Sequence, residues 1–374
     1  MDLGFDEAQL MLKTSAREFL SAECTDTFVR EMEEDQQGFT PEFWQKLANQ
    51  GWLGLIFPEQ YGGVELSFFD LAILLEETGA ALMPGPFFAT VVLGGKTVLE
   101  AGNDEQKQQI LPAVAEGKSI VTLALLEPSA TWRPLGIQAT ADFVGDGYLL
   151  NGTKLFVPYA HVADNIIVAT RTGLEETDIT LFLVPKSTDG ISQTLLKTIA
   201  SDRQSEVILK DVHLPTSAIV GEVNKGWDTI KNVIKCGAIG KCAEMLGGSQ
   251  KVLDMTVEYA KQRVQFGRPI GTFQAIQHHC ADMASDVEGS RYVTYKAAWT
   301  ISEGAPADQE VAVAKAWVSD AYRRVCAKGH QVHGAIGFTK EHNMQLYSRR
   351  AKEAELAFGD TDFHLETVAA SIGL

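Results

Sequence analysis

Tyr259-Ala260-Lys261-Gln262-Arg263-Val264-Gln265-Phe266-Gly267-Arg268-Pro269-Ile270-Gly271-Thr272-Phe273-Gln274 is the most informative stretch of this 374-residue chain. Helical periodicity puts Tyr259 and Arg263 on one face, one turn apart, and Gly267 and Pro269 then end the helix. Arg263 and Phe266 thus project at a helix end. A guanidinium and an aromatic ring placed there suit a diphosphate and a stacked heterocycle. A salt-bridged helix terminus is the plainer alternative. Downstream, Gln331-Val332-His333-Gly334-Ala335-Ile336-Gly337-Phe338-Thr339 forms a second glycine-containing break, where backbone can come close to a ligand.

Working outward, the chain has three textures. Residues 1–118 read as helices: Thr40-Pro41-Glu42 opens one that runs to Gly51, and Ser67 caps another that ends near Gly79. Residues 119–222 read as strands, at Ser119–Leu126, Gly147–Pro158, Asn165–Thr170, Ile179–Val184 and Glu206–Leu214. Gly145-Asp146-Gly147 and Asn151-Gly152 have the chemistry of tight hairpin turns. No long helix separates these strands, so an antiparallel sandwich or barrel is expected rather than a Rossmann unit. Residues 223–374 return to long helices, broken at Gly267-Arg268-Pro269, Gly304-Ala305-Pro306 and around Gly334–Thr339. The expected plan is an α+β, three-domain chain: helices, a β module, then a helical bundle.

Composition narrows the function. Hydrophobic residues make up 45% of the chain and charged residues 22%, enough apolar material for a sizeable core. Acidic residues number 49 against 32 Lys and Arg, a net charge of −17 that repels phosphate backbones and anionic lipid. An anionic substrate in one basic cleft remains compatible with that exterior. No stretch approaches the ~20 apolar residues of a membrane span. The acidic start, Met1-Asp2-Leu3-Gly4-Phe5-Asp6-Glu7, is unlike a signal peptide. Five scattered cysteines suit a reducing compartment, so a cytoplasmic location is expected.

The common nucleotide signatures are missing. No Gly-x-Gly-x-x-Gly follows a strand, Gly95-Lys96-Thr97 lacks the Walker glycine because residue 90 is Thr, and no Gly-x-Ser-x-Gly elbow occurs. Cys326, His330 and His333 share a helix face and offer ligand types zinc accepts, but no second pair completes a tetrahedron. His278-His279-Cys280 reads as a helix end facing solvent or a partner, and Glu33-Glu34 and Glu76-Glu77 as solvated surface.

Together, the Arg263-x-x-Phe266-Gly267 run and the Gln331-x-x-Gly334 loop resemble the C-terminal signatures of the acyl-CoA dehydrogenase family. Trp52-Leu53-Gly54-Leu55, Pro58-Glu59-Gln60-Tyr61-Gly62-Gly63, Asn151-Gly152-Thr153-Lys154 and Val212-His213-Leu214-Pro215 with Gly221 and Gly226 extend the likeness, in order, over nearly the whole chain. The resemblance implies a helical domain, a β-barrel domain and a four-helix domain. It implies dimers or tetramers around FAD, an acyl-CoA substrate, and an electron-transfer flavoprotein or similar acceptor. In the family a carboxylate takes the α-proton of the thioester and flavin takes the β-hydride. Carried over, Arg263, Phe266, Gln331 and Gly334 would touch the FAD of an adjacent subunit. Thr361 would lie beside a flavin, and Glu127 and Phe156 fall in the β segments that meet one.

Several positions depart from the pattern. The family's Tyr-Glu-Gly-Thr base motif reads Phe358-Gly359-Asp360-Thr361, with glycine at the glutamate position. The alternative seat for the base falls on Gly237, followed by Ala238. Thr-Glu-Pro-x-x-Gly-Ser becomes Leu126-Glu127-Pro128-Ser129-Ala130-Thr131-Trp132, and Trp-x-Thr becomes Phe156-Val157-Pro158. Leucine and proline side chains donate no hydrogen bonds. The part that cradles a subunit's own flavin is eroded, while the part that reaches a neighbour's is kept. That asymmetry resembles the base-lacking subunit of heteromeric acyl-CoA dehydrogenases, many of which act on sterol side-chain or other bulky acyl-CoAs. The alternatives are a self-sufficient enzyme that uses Asp360 as base and a flavin-free acyl-CoA-binding scaffold.

Overall fold

The computed structural model describes residues 4–374; the acidic start at residues 1–3 lies outside them. The helices are α1 (Glu7–Glu23), α2 (Asp26–Glu34), α3 (Pro41–Asn49), α4 (Phe68–Ala80), a π-helical turn at Phe88–Gly95, α5 (Lys96–Ala101) and α6 (Asp104–Ala115). Eight strands come next: β1 (Val121–Ala124), β2 (Thr140–Val144), β3 (Gly147–Pro158), β4 (Asn165–Arg171), β5 (Ile179–Pro185), β6 (Ile191–Leu196), β7 (Gln204–Pro215) and β8 (Ile219–Val220). Then come α7 (Gly226–Gln262), the two-residue strands β9 (Val264–Gln265) and β10 (Arg268–Pro269), α8 (Gln274–Ser302), α9 (Asp308–His333), α10 (Met344–Leu356) and α11 (Thr361–Ser371). Thr40 and Ser67 cap α3 and α4 as their sequence context predicts, each side-chain oxygen accepting a first-turn N–H.

These elements form two compact units, and the division between them falls inside α7. One holds residues 31–66 and 84–237 and contains the sheet. Its strands run in the order β6-β7-β3-β2-β4-β5-β8, and β1 also pairs with β4. Most neighbours are antiparallel, as expected, but β1 runs parallel to β4. Both strands are almost wholly buried, the environment parallel pairing needs. Asn151-Gly152, expected to be a turn, is instead a bulge inside β3, where the register against β7 shifts between Leu150 and Gly152. Gly152 has φ 150°, and a Cβ there would sit 2.4 Å from the Ala139 Cβ, so close packing rather than reversal requires the glycine.

The other unit holds residues 4–30, 67–83 and 238–374. Here Glu76 and Glu77 overturn the expectation of a solvated surface: they are 3% and 4% exposed. Glu76 pairs with Lys13 of α1, with Arg291 of α8 (2.7 Å) and with the Tyr295 hydroxyl; Glu77 pairs with Arg17 at 2.8 Å. Arg291 also donates to Gln250 of α7 at 2.9 Å, so one carboxylate cluster joins α1, α4, α7 and α8. Burial alone would raise the Glu76 pKa, but Lys13 and Arg291 override it and hold the group below the ordinary carboxylate value. Adjacent acids splay around a helix, but each can face inward when cations arrive from separate neighbours. Sequence spacing on α4 alone carries no sign of that.

Glu76→Gln is expected to cost about 1–3 kcal/mol in urea unfolding, because Lys13 and Arg291 lose their buried anion and keep only longer contacts, each 3.4 Å, to Glu77 and Glu288. Glu76 contributes stability that is complete above its unfolded pKa and is lost as pH falls through the depressed folded value. The Gln variant is therefore expected to lack that acid-side component of the stability profile.

Candidate functional site

α7 ends where the Tyr259 carbonyl accepts its last bond from the Arg263 N–H, at 2.8 Å. The chain then folds into a miniature hairpin, β9 against β10, whose two turn residues are Phe266 (φ 53°) and Gly267 (φ 77°). Two successive left-handed residues suit the right-handed twist of a hairpin. Glycine adopts that conformation without strain; phenylalanine does not, and strain of this kind costs on the order of 1 kcal/mol. The ring held there is 92% exposed, with only an edge contact to Phe273 at 6.0 Å. Arg263 is exposed too, and among the described residues no carboxylate lies against its guanidinium. The salt-bridged alternative for this helix end therefore loses its partner.

α9 ends beside it. The rings of Tyr259 and His333 stack with centroids 4.5 Å apart and planes 22° apart, which brings the two signature segments together. Gln331 is exposed on the last turn of α9, and Gly334 leaves the helix with φ 64°, ψ −145°, a region open essentially to glycine alone. A Cβ on Gly334 would meet nothing within 4 Å, so backbone conformation and not crowding selects the residue. His333 Nδ1 bonds the Gly329 carbonyl at 2.8 Å, His330 Nε2 bonds Ser348 at 2.6 Å, and the His330 ring stacks on Phe338 at 4.4 Å. Burial lowers both histidine pKa values, and it pushes the Cys326 thiol up to about 12. The zinc candidates Cys326, His330 and His333 are thus engaged in packing and helix-end bonds, and no metal-binding cluster forms among the described residues.

Phe358-Gly359-Asp360-Thr361 links α10 to α11 in the same unit. Phe358 has φ 58° and Gly359 φ 95°, so two consecutive residues are left-handed. A Cβ on Gly359 would lie 2.4 Å from Phe363 Cδ1 and 3.0 Å from His364 Nε2; the glutamate position is occupied by its neighbours. Asp360 is exposed and caps α11, its Oδ1 accepting the Phe363 N–H at 2.9 Å. The Thr361 hydroxyl oxygen is buried without a hydrogen-bond partner among the described residues. Gly237, the other seat for a base, is buried within α7.

Glu127 and Phe156 lie in the sheet-bearing unit. The Glu127 carboxylate accepts from Lys154 Nζ (2.7 Å) and from the Gln138 and Ala139 N–H groups (2.9 and 3.0 Å), with Lys154 0% and Glu127 4% exposed. Burial lowers the Lys154 pKa and Glu127 opposes it. These bonds make Glu127 the anchor of its own β segment. Phe156, at φ 55° and 45% exposed, sits where the β3–β7 register shifts again. Gly95 ends the π-helical turn and Lys96-Thr97 opens α5, with Lys96 paired to Glu100 at 3.0 Å.

Residues 6–118, 122–212 and 224–373 match the N-terminal, middle and C-terminal domains of acyl-CoA dehydrogenase. The chain belongs to the acyl-CoA dehydrogenase family. Its members are FAD-linked oxidoreductases acting on CH–CH groups. The chain is similar to the probable acyl-CoA dehydrogenase YngJ of Bacillus subtilis, with 31% identity and the whole of both chains covered. Among solved structures it is similar to butyryl-CoA dehydrogenase from Megasphaera elsdenii (TM-score 0.92, 29% identity, all of both chains). It is also similar to a chain of the ChsE4-ChsE5 complex from Mycobacterium tuberculosis (TM-score 0.91, 31% identity, 100% of this chain and 99% of that one). The described residues include no helix long and apolar enough to cross a membrane.

Asparagine caps a helix about as well as aspartate, and alanine does not. Asp360→Asn is expected to leave the thermal midpoint nearly unchanged, whereas Asp360→Ala lowers stability by about 1 kcal/mol. Thermal unfolding of the two variants checks this, and it provides a fold-neutral substitution for the catalytic test.

Proposed function

We propose that this chain serves FAD-linked α,β-dehydrogenation of an acyl-CoA thioester as the base-lacking member of a heteromeric pair. One contrast carries the reading. The Arg263–Phe266 tip is exposed and held beside the Gln331–Gly334 helix end, while the seat for the base carries glycine, closed in by Phe363 and His364.

The residues present fit a flavin dinucleotide. Arg263 offers a forked donor set to a diphosphate, Phe266 a ring face to a purine, and Gln331 an amide that both donates and accepts. Gly334 supplies a backbone turn that other residues do not adopt, and the orphaned Thr361 hydroxyl is a ready donor to a heteroatom. Phe156 is an exposed ring on the sheet, and Glu127 fixes the segment before it. Bound FAD would supply the acceptor for the β-hydride. The α-proton needs a carboxylate, which on this reading a second acyl-CoA dehydrogenase-like subunit brings. Electrons would then pass to an electron-transfer flavoprotein or similar acceptor.

Asp360 supports a second reading, a self-sufficient enzyme. The cap bond commits one carboxylate oxygen to Phe363, and a base must come within about 3 Å of its proton. A flavin-free scaffold is disfavoured by a strained, exposed Phe266 that has little to pack against in its own chain.

Visible absorption of the chain, purified alone and with its co-expressed partner, separates the three. The expected result is sub-stoichiometric flavin in the lone chain with no bleaching by acyl-CoA, and rapid bleaching in the pair. Bleaching of the lone chain that is lost in Asp360→Asn would establish the second reading. A pair without flavin absorbance would establish the scaffold.

A further inference from the structure

We infer that Lys315 is a positioning residue, its buried ammonium holding the 358–361 loop in the strained shape that presents the Thr361 hydroxyl to the cofactor. The inference rests on the reading above for the identity of the cofactor, but the clamp itself is visible in the chain alone. Lys315 lies on α9 and is 0% exposed. Its Nζ donates to the Gly359 carbonyl at 2.9 Å, to the Glu355 carbonyl at 2.9 Å and to Ser319 Oγ at 3.2 Å. Three N–H groups meet three acceptors. Glu355 is in the last turn of α10, where carbonyls lack intrahelical partners and a cation is favoured. The Gly359 carbonyl belongs to the second of the two left-handed residues. The first is held in the same way: His364 Nε2 lies 2.9 Å from the Phe358 carbonyl. Two buried side chains therefore fix two consecutive left-handed residues, of which Phe358 is the strained one, from α9 on one side and α11 on the other.

Strain persists only where the surroundings over-determine it. A buried ammonium is also a costly way to fill space, since an apolar side chain avoids the desolvation. Burial lowers the Lys315 pKa to about 8, against the opposing pull of Cys242 on α7, Glu353 and Glu355 on α10, and Asp360. The same burial keeps His364 neutral, its pKa lowered to about 4, with Lys315 among the groups facing it. What the cost secures is a pair of backbone carbonyls that no apolar residue could hold. Immediately after them comes Thr361, whose hydroxyl oxygen is buried without a partner among the described residues.

The test uses the full chain, alone and in its complex, with Lys315→Met and Lys315→Arg. Amide hydrogen exchange over 357–363, corrected for its intrinsic pH dependence, is expected to rise roughly tenfold or more in the Met variant, from the loss of charge-assisted bonds. Exchange in α1 and α4 stays at the wild-type rate, and Arg restores part of the protection. Raising pH through about 8 removes one N–H and the charge assistance, so wild-type loop protection falls there while the Met variant stays flat. In the complex, FAD affinity drops about tenfold with Met and recovers with Arg. Unchanged loop exchange in the Met variant overturns the clamp. A loosened loop with undiminished FAD affinity overturns its role toward the cofactor and leaves the heteromeric reading untouched. Should the Met variant fail to fold, the Arg variant and the wild-type pH profile decide the question.

Discussion

The stacked rings of Tyr259 and His333, 4.5 Å apart and nearly parallel, tie the end of α7 to the end of α9. Neither signature segment amounts to a binding site by itself: one is a two-residue turn on a tiny hairpin, the other a glycine after a helix. The stack makes them a single surface. Tyr259 lies one turn before Arg263 and His333 immediately before Gly334, so the contact fixes the points at which both helices release the chain. Left-handed backbone at Phe266, Gly267 and Gly334 then sets the direction of the chain beyond each helix end. Strain at a non-glycine residue, spent on exposing an aromatic ring, makes sense when the ring's partner comes from outside the chain.

The 358–361 loop shows the complementary situation. Whereas the Arg263–Phe266 tip is exposed, this loop is held at three places: Lys315 on one carbonyl, His364 on another, Asp360 on the first turn of α11. Its glycine has no room for a side chain. On the proposed reading, proton removal and dinucleotide contact have separated within one family fold, and this chain keeps the second without the first.

Much of this is legible in the sequence, and the parts that are not share a physical cause. Capping hydroxyls at Thr40 and Ser67, and the apolar runs of β3, β4, β5 and β7, announce themselves through local chemistry. β2 and β6 escape because Thr140–Val144 is short and largely exposed, its Phe143 and Val144 included, and Ile191–Leu196 is a half-exposed strand at the edge, paired with β7. Asn151-Gly152 misleads because the same dipeptide serves a turn or a bulge, and only the approach of Ala139 decides between them. Glu76, Glu77 and Lys315 defeat sequence reasoning for one reason: charge in a sequence signals solvent unless its partners are known. Most of those partners come from elsewhere in the chain, Arg291 and Tyr295 lying 215 and 219 positions from Glu76. Motif alone finds the residues of the candidate surface, but that Tyr259 and His333 join them is evident only from the packing of α7 on α9.

Photolabelling of the assembled pair with an azido-adenine analogue of FAD tests the central claim most directly, because the label marks whatever touches the adenine. The account predicts covalent label on this chain at residues 263–270 or 331–338, with the flavin ring retained by the partner. Label confined to the partner, or found on this chain only within its sheet, would contradict it.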